Sequence, residues 1–224
     1  PHLIKKNQMN KVYLMDCMEG MKGTPDKYYD LAVVDPEYGI DAGNMTMGSG
    51  KNKKYTKKDW DKNIPTEEYF TELFRVSKNQ IVCGGNYFTK FLPPTKSWIF
   101  WDKGINGDCS FADGELIWTS FDTVLRKADV RYKGFLGADA DRIHITQKPI
   151  KLYDWIFAKY ATKGMKILDT HAGSMSSVIS AMKNEMQITA YEIDSDYFNA
   201  GKKRIETYLM QGDMFQQPKI EFIS

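Results

Sequence analysis

The chain has 224 residues, which suits one domain of ordinary size with a substantial buried core. Its 31 Lys and Arg residues and 29 Asp and Glu residues give a net charge of +2, too small to indicate nucleic-acid binding by itself. The three cysteines have no metal-ligand spacing and leave an odd thiol, which argues against a zinc site and a disulfide framework. Since no apolar run reaches membrane-spanning length and no secretory signal opens the chain, we expect a cytoplasmic protein without a membrane partner.

A buried strand is predicted at residues 31–34, where the apolar run shows no alternation with polar residues. Ligands bind at the carboxyl ends of such strands in open α/β sheets, and Asp35 stands there. Asp35 and the carbonyl of Pro36 can accept two hydrogen bonds from one exocyclic amino group, and Tyr38 offers a π-face. The pattern therefore suits a planar amine such as an extruded base, although Asp-Pro after a strand is also an ordinary turn.

Residues 41–63 have a biased composition, with three glycines followed by a cluster of lysines. We expect a long mobile loop beside Asp35. Such a run is most often a solvated face, but lysines interleaved with aromatic residues also suit the neutralisation of phosphates. The lysines that we assign to DNA contact are Lys53, Lys54, Lys57 and Lys58.

The next elements alternate between helix and strand. Residues 65–76 have a helical pattern, with Thr66 as the start signal and Tyr69, Phe70, Leu73 and Phe74 on a core face. Strands are predicted at residues 80–87, 98–103 and 115–119, and their aromatic residues are assigned to the core.

A second pair of strand ends follows near the carboxyl end of the chain. Residues 166–177 are predicted to form a strand, a loop of small residues and the start of a helix. The free amide groups at a helix start favour an anion, and glycine lets a ligand approach the backbone closely. Residues 187–194 form the next strand and end in acidic residues, and an acid at this point commonly binds ribose hydroxyls. A nucleoside-type cofactor is implied.

Three segments in this order resemble the beta class of DNA amino-methyltransferases, in which the catalytic motif precedes the cofactor motif. The class has Asp-Pro-Pro-Tyr, then Thr-Glu-Lys-Pro, then Asp-Pro-Phe-x-Gly-Ser-Gly. Here the corresponding residues are 35–38, 146–149 and 169–175. The resemblance implies a Rossmann-like, doubly wound, mostly parallel α/β sheet with helices on both faces, formed by residues 1–224 as one domain.

The same resemblance implies S-adenosylmethionine as the cofactor and double-stranded DNA as the substrate, with methyl transfer to N6 of adenine. It assigns catalysis to Asp35, Pro36 and Tyr38. It assigns cofactor binding to Asp16, Cys17, Asp35, Thr146, Lys148, Asp169, His171, Ala172, Gly173, Ser174, Glu192 and Asp194. Asp16 also suits a helix cap, and Lys148 with Pro149 also suits a plain helix start.

Two of the departures from the class motifs bear on activity. Glu37 stands where the class has its second proline, so the segment loses ring rigidity and gains a charge beside the pocket. Met175 stands where the cofactor loop has its second glycine. A relative that binds cofactor or DNA without catalysis therefore stays open.

The class places target recognition at about residues 104–143, a short interval that contains Arg126, Arg131 and Lys133. These three residues are assigned to DNA binding. A segment this short supplies few contacts to base edges, so we expect a short recognition sequence or a homodimer. The alternatives are N4-cytosine as the target, an RNA or small-molecule substrate, and the non-catalytic relative; a role in restriction-modification is expected from the class.

Overall fold

The computed structural model of the protein describes residues 9–41, 63–105, 112–132, 142–144, 146–211 and 218–224. Within these ranges, nine strands form one sheet. They are β1 (Met9–Leu14), β2 (Tyr29–Val34), β3 (Ser77–Cys83), β4 (Trp98–Asp102), β5 (Gly114–Thr119), β6 (Arg126–Asp129), β7 (Lys166–Asp169), β8 (Gln187–Glu192) and β9 (Lys219–Ile223).

The sheet is mostly parallel, as the sequence predicts. The strands are ordered β6-β4-β5-β3-β2-β7-β8-β1-β9. Among them β5 alone runs antiparallel to its neighbours β3 and β4, while the other described pairings are parallel. The strands β2, with Asp35 at its carboxyl end, and β7, with the small-residue loop at its carboxyl end, are direct neighbours.

Helices cover both faces of the sheet because successive residues of its central strands point to opposite sides. Leu31 and Val33 of β2 pack in one core cluster, and Ala32 and Val34 pack in the other. The first cluster includes side chains of α3 (Ile150–Tyr160), α4 (Ser176–Lys183) and α5 (Ser195–Gln211); the second includes side chains of α1 (Cys17–Lys22) and α2 (Glu67–Val76).

The predicted helix at residues 65–76 is confirmed as α2. Thr66 is its N-cap, and the Thr66 hydroxyl accepts a hydrogen bond from the Tyr69 amide. Tyr69, Phe70 and Leu73 are buried as predicted, while Phe74 is half-buried beside Trp118.

Part of the interval assigned to target recognition belongs to the sheet. Gly114–Thr119 form β5, in agreement with the predicted strand at residues 115–119, and Arg126–Asp129 form β6, an edge strand paired with β4. The strand β9 was not predicted; it pairs with β1 at the other edge. Its sequence alternates exposed with half-buried residues and is too short to stand out by pattern alone.

Met175 keeps the backbone conformation that a glycine would favour. Its φ of 62° is left-handed, and its side chain is fully buried in the core. The side chain packs against Gly201 of α5, where an added Cβ would overlap it. The departure from the class glycine thus preserves the loop and fills core space.

Neither a membrane span nor a metal-binding cluster occurs among the described residues. No helix there is long and apolar enough to cross a bilayer. No group of three or more His, Cys, Asp or Glu side chains in those ranges is arranged to hold a metal ion.

Asn10 provides a test of how the β9 edge is joined to the sheet. Its side chain is 2% exposed, donates to the Lys219 carbonyl (3.0 Å) and accepts from the Ile188 amide (3.1 Å). Asn10→Ala leaves a buried amide unpaired, so we expect the free energy of unfolding to fall by about 1–3 kcal/mol in urea denaturation. Asn79→Ala, which removes a single 3.5 Å contact at a half-buried position, should cost less. Equal losses would contradict the bridging role of Asn10.

Candidate active site

A cleft opens at the carboxyl ends of the parallel strands, where the loops after β1, β2, β7 and β8 meet the segment before α3. Most of the residues assigned to a ligand line it. These are Asp16, Cys17, Asp35, Pro36, Tyr38, Thr146, Lys148, His171, Ala172, Gly173, Ser174, Glu192 and Asp194. The sheet therefore brings together segments that are more than one hundred residues apart in the chain.

Asp35 is held by Lys148 and Tyr38. The Lys148 ammonium lies 2.8 Å from each carboxylate oxygen of Asp35, and the Tyr38 hydroxyl donates to the same carboxylate at 2.8 Å. Burial would lower the pKa of Lys148, but the carboxylates of Asp35 and Glu115 outweigh it and raise that pKa above its ordinary value. Burial, with Asp35 and Glu115, also raises the pKa of Tyr38, which stays a hydroxyl donor.

Glu115 extends this cluster, and no sequence pattern marked it as a site residue. Its carboxylate lies 3.3 Å from the Lys148 ammonium and 2.7 Å from that of Lys103, and the Tyr38 hydroxyl lies 3.2 Å away. Burial raises the pKa of Glu115, but the two lysines outweigh it and bring that pKa down to about 2. Glu115 lies near the amino end of β5, which reaches the cleft edge because β5 is antiparallel. Lys148 and Lys103 thus balance the carboxylates of Asp35 and Glu115.

The Tyr38 ring is packed against the end of β3. It stacks on Tyr87, with centroids 4.8 Å apart and planes at 15°, and it meets Phe88 edge-on. Gly84, at a φ of +63°, lies against the ring, and a Cβ there would overlap it. In this structure Tyr38 therefore stacks on a protein ring.

The small-residue loop after β7 is tied to the end of β8. The Glu192 carboxylate accepts from the Gly173 amide at 2.7 Å and from the Asp194 amide at 2.8 Å. Burial raises the pKa of Glu192, although these two amide hydrogen bonds oppose the shift. Asp194 in turn accepts from the amides of Asp196 and Tyr197 at the start of α5. Glu192 therefore holds the loop and Asp194 caps the start of α5, while both line the cleft.

Asp169 does not line the cleft. It is 2% exposed, and its carboxylate accepts from the Ser177 hydroxyl and from the His171 amide. Burial raises its pKa to about 6 despite those hydrogen bonds. In this structure Asp169 braces the start of α4, and its assignment to cofactor contact stays a prediction.

Arg204 of α5 supports the small-residue loop after β7. It is 3% exposed on α5, and its guanidinium donates to the Ser174 carbonyl at 2.7 Å and to the Ser176 hydroxyl at 2.8 Å. No motif in the sequence marks this residue. Its role emerges only because α5 packs beside the loop.

Of three further assigned residues that line the cleft, Asp16 and Thr146 are exposed and Cys17 is buried. Asp16 is the N-cap of α1 and accepts from the Met18 amide at 2.8 Å, which agrees with the helix-cap interpretation. Burial, together with the carboxylates of Asp16 and Glu37, raises the pKa of Cys17 to about 12, so this thiol is protonated. Thr146 is exposed and bonds to Nδ1 of His144 at 3.0 Å.

Glu37 and His171 meet across the cleft. Nε2 of His171 lies 3.2 Å from the Glu37 carboxylate. Burial would lower the pKa of His171, but Glu37 outweighs it and raises that pKa to about 9. Burial would raise the pKa of Glu37, but the neighbouring His171 outweighs burial and lowers that pKa below its ordinary value. The charge that Glu37 adds to the motif is therefore paired.

The basic residues assigned to DNA fall in three groups. Lys53, Lys54, Lys57, Lys58 and Lys133 lie outside the described residues. Arg131 follows β6 and lies against Gly104, on the cleft side of the sheet edge. Arg126 lies at the amino end of β6, near Tyr160, and is not brought to the cleft.

Several solved structures with a similar fold are those of proteins described as DNA methyltransferases or methylases. The fold is similar to that of TTHA0409, a candidate DNA modification methylase from Thermus thermophilus in complex with S-adenosyl-L-methionine, with a TM-score of 0.59 and 14% identity over 96% of this chain and 100% of that one. It is similar to M1.HpyAVI in complex with SAM (TM-score 0.57, 15% identity, 88% and 99% covered). It is also similar to the cytosine-N4-specific PvuII DNA methyltransferase (TM-score 0.59, 13% identity, 95% and 91% covered).

The chain shares the α/β fold of these three proteins. The sequence itself matches no protein-family model, and the search of curated proteins gave no match. At such low identity the structural likeness establishes the α/β architecture, and the chemistry has to be argued from the residues of the cleft.

Gly84→Ala tests the packing beneath Tyr38. The new Cβ would overlap the Tyr38 ring in a left-handed backbone conformation, so we expect a loss of about 1–3 kcal/mol in the free energy of unfolding. Gly23→Ala is the matched control, because Gly23 has a φ of −84° and a Cβ there meets nothing within 4 Å. Its stability should change by less than about 1 kcal/mol. Thermal and urea unfolding of both variants decide the matter, and equal losses would contradict this packing.

Proposed function

We propose that this protein transfers a methyl group from S-adenosylmethionine to N6 of adenine in double-stranded DNA, with the target base flipped into the cleft. One observation carries the proposal: Asp35 and the small-residue loop at Gly173 line the same cleft from the ends of neighbouring strands. A substrate amine beside Asp35 and a cofactor along the loop would thus be adjacent. The S-adenosylmethionine complexes of TTHA0409 and M1.HpyAVI, which share the fold, support the choice of cofactor.

The chemistry of the lining residues fits that cofactor. Glu192 and Asp194 at the end of β8 offer carboxylates for ribose hydroxyls, and Asp16 offers another acceptor at the mouth. At Gly173 an added Cβ would meet nothing closer than 3.9 Å, so no neighbouring group is packed tightly against the loop backbone there. Thr146 and Lys148 line the same cleft. Asp35, Cys17, Ala172 and Ser174 complete the proposed contacts, with His171 and Asp169 supporting the loop.

The catalytic task is to make an aromatic amine nucleophilic. S-adenosylmethionine supplies an electrophilic methyl group when bound. Asp35 and the Pro36 carbonyl accept the two amino hydrogens, which favours a tetrahedral nitrogen whose lone pair points at the methyl carbon. Transfer would form the nitrogen–methyl bond and break the methyl–sulfur bond, whose electron pair stays on sulfur in S-adenosylhomocysteine; the nitrogen would lose one proton, for which Asp35 is the nearest proposed acceptor. Of about four acceptor positions on the Asp35 carboxylate, Lys148 and Tyr38 occupy three.

Lys148 is therefore a positioning residue in this proposal. Its ammonium fixes the plane of the Asp35 carboxylate and leaves one acceptor position for a substrate. Tyr38 is proposed to stack on the extruded base, which requires its ring to offer a face that Tyr87 does not cover. Glu37, whose charge is paired with His171, leaves the acceptor groups of residues 35 and 36 in place.

The target base is the finer part of the proposal. Asp at the first motif position favours adenine by resemblance to the class. Cytosine presents a similar amino group, and a cytosine-N4-specific enzyme shares the fold. N4-methylcytosine, methylated RNA, or cofactor binding without transfer are the alternative outcomes of the first experiment.

Asp35→Asn tests the proposal directly. It keeps the shape of the side chain and removes the charge, so we expect methyl transfer to unmodified duplex DNA to fall about 100-fold or more. Radiolabelled transfer followed by nucleoside analysis of the product gives both the rate and the methylated atom. Calorimetric titration with S-adenosylmethionine should show a smaller change in affinity.

Asp122→Asn is the control, because Asp122 is an exposed carboxylate paired with Lys96 away from the cleft. It should transfer methyl groups at the wild-type rate. Equal rates for wild type and Asp35→Asn would contradict the role of Asp35. No transfer by the wild type despite cofactor binding would identify a binding protein.

We propose that DNA lies across the cleft edge, with Arg131, Lys133 and the lysines at positions 53, 54, 57 and 58 neutralising phosphates. Arg131 lies on the cleft side of the sheet edge, which supports a contact between Arg131 and DNA. Arg126 lies at the far end of β6, which argues against a contact between Arg126 and DNA. A homodimer, a cytoplasmic location and a restriction-modification role remain proposals drawn from the resemblance.

The two arginines make a matched pair for testing this face. Arg131→Gln should weaken DNA binding about equally for all sequences and reduce the slope of log affinity against log salt by about 1. Arg126→Gln should leave both quantities unchanged. Fluorescence anisotropy with a labelled duplex at several salt concentrations measures them. A larger loss of DNA affinity in Arg126→Gln than in Arg131→Gln would contradict this proposal and indicate that DNA binds at the other end of β6.

A further inference from the structure

The Glu37–His171 pair joins the two halves of the cleft. Glu37 lies in the loop after β2, between Asp35 and Tyr38, and His171 lies in the loop after β7, two residues before Gly173. Their side chains are only 26% and 21% exposed, and the two groups are 3.2 Å apart. A half-buried ion pair between two loops resists their separation more than an exposed pair does.

His171 is bonded through both ring nitrogens. Nε2 faces the Glu37 carboxylate, which can only accept, and Nδ1 lies 2.9 Å from the Thr170 hydroxyl, which can also accept. That hydroxyl continues to the Tyr69 hydroxyl of α2 at 2.7 Å, and the Tyr69 ring meets the imidazole edge-on. These contacts suit a doubly protonated ring and anchor it to a buried helix residue.

We propose that Glu37 and His171 are a positioning pair that sets the spacing between the Asp35 loop and the Gly173 loop. The inference rests on the proposed function for the identity of the ligands that these loops hold. In the class motif the second proline stiffens the first loop by its ring. Here a contact with the second loop supplies the constraint, so the positions of the proposed substrate and cofactor become linked.

The pair has a defined range of pH. His171 is faced by Glu37 from the β2 loop, by Asp169 on its own loop, by Glu192 from the end of β8 and by Tyr69 from α2. Its pKa of about 9 exceeds the ordinary 6.5, so its contribution to stability is fully present below about 6.5 and disappears as the pH rises through about 9. Cys17 and His144 lie near Glu37, and burial together with Lys148 lowers the pKa of His144 to about 4. His144 therefore titrates well below His171, and the two rings are distinguished by their midpoints.

Nuclear magnetic resonance tests the pair without any ligand. The ring resonances of His171 should titrate near pH 9, and in Glu37→Gln the midpoint should fall by at least about one pH unit. The amides of residues 35–38 and 170–174 should shift with the His171 midpoint in the wild type and lose this response in the variant. The His144 midpoint, on which Glu37 acts more weakly than burial, Lys148, Arg142 and Asp194 do, should move less than that of His171.

Calorimetric titration with S-adenosylmethionine then gives the consequence for binding. Glu37→Gln and His171→Gln should each weaken binding about fivefold to tenfold at pH 7.5, and the double variant should be no weaker than the weaker single one. Wild-type affinity should fall between about pH 8 and pH 10, while the variants should give flat profiles. Glu185→Gln is the control, because Glu185 pairs with Lys163 at the far end of β8. Thermal unfolding confirms that each variant is folded.

The outcomes separate this inference from the proposed function. The proposed pair is wrong, whatever the ligand, if the His171 midpoint is the same in Glu37→Gln as in the wild type. It is also wrong if the amide resonances of the two loops do not shift with that midpoint in the wild type. Strictly additive losses of affinity also overturn it. If the titrations behave as expected but no form binds S-adenosylmethionine, the pair stands and the proposed cofactor is wrong.

Discussion

The ammonium group of Lys148 is the point at which three parts of the cleft edge are joined. It lies within 2.8 Å of both Asp35 oxygens and 3.3 Å from Glu115, and Tyr38 contributes its hydroxyl to the same carboxylates. A charge this deeply buried is tolerated only with partners, and removal of one partner typically costs about 3–5 kcal/mol. The proposed acceptor is therefore rigid before any ligand arrives. Such preorganisation lets a carboxylate act on a weakly nucleophilic amine without reorienting first.

The other half of the cleft is held by contacts of a different kind. Glu192 accepts from the amide of Gly173, and Arg204 donates to the carbonyl of Ser174, so the small-residue loop is gripped from both sides. Met175 carries the left-handed turn and anchors it in the core against Gly201. The two halves meet through Glu37 and His171. Glu37, which departs from the first class motif, is thus paired with His171 in the cofactor motif.

Local patterns were enough to predict the elements that surround the cleft. The unbroken apolar run before Asp35 predicted a buried parallel strand, and Thr66 before two glutamates predicted the start of α2; both are confirmed. Glu115 could not be predicted in the same way, because sequence patterns pointed only to the carboxyl ends of parallel strands and β5 runs antiparallel. Arg126 was assigned to DNA because it stands in the interval that the class uses for target recognition, and the direction of β6 places it at the end of the strand away from the cleft.

By itself the sequence determined the α/β class, the strand ends that bear Asp35 and Glu192, and the order of the motifs, since these depend on residues that are neighbours in the chain. The tertiary structure alone decided which side chains meet: Lys148 with Asp35 across 113 positions, and Arg204 with the loop before α4. Pairing of charges depends on strand order and direction, which arise from packing of the whole sheet. A motif specifies a backbone and its chemical groups, and the fold supplies the partners that set their charge and orientation.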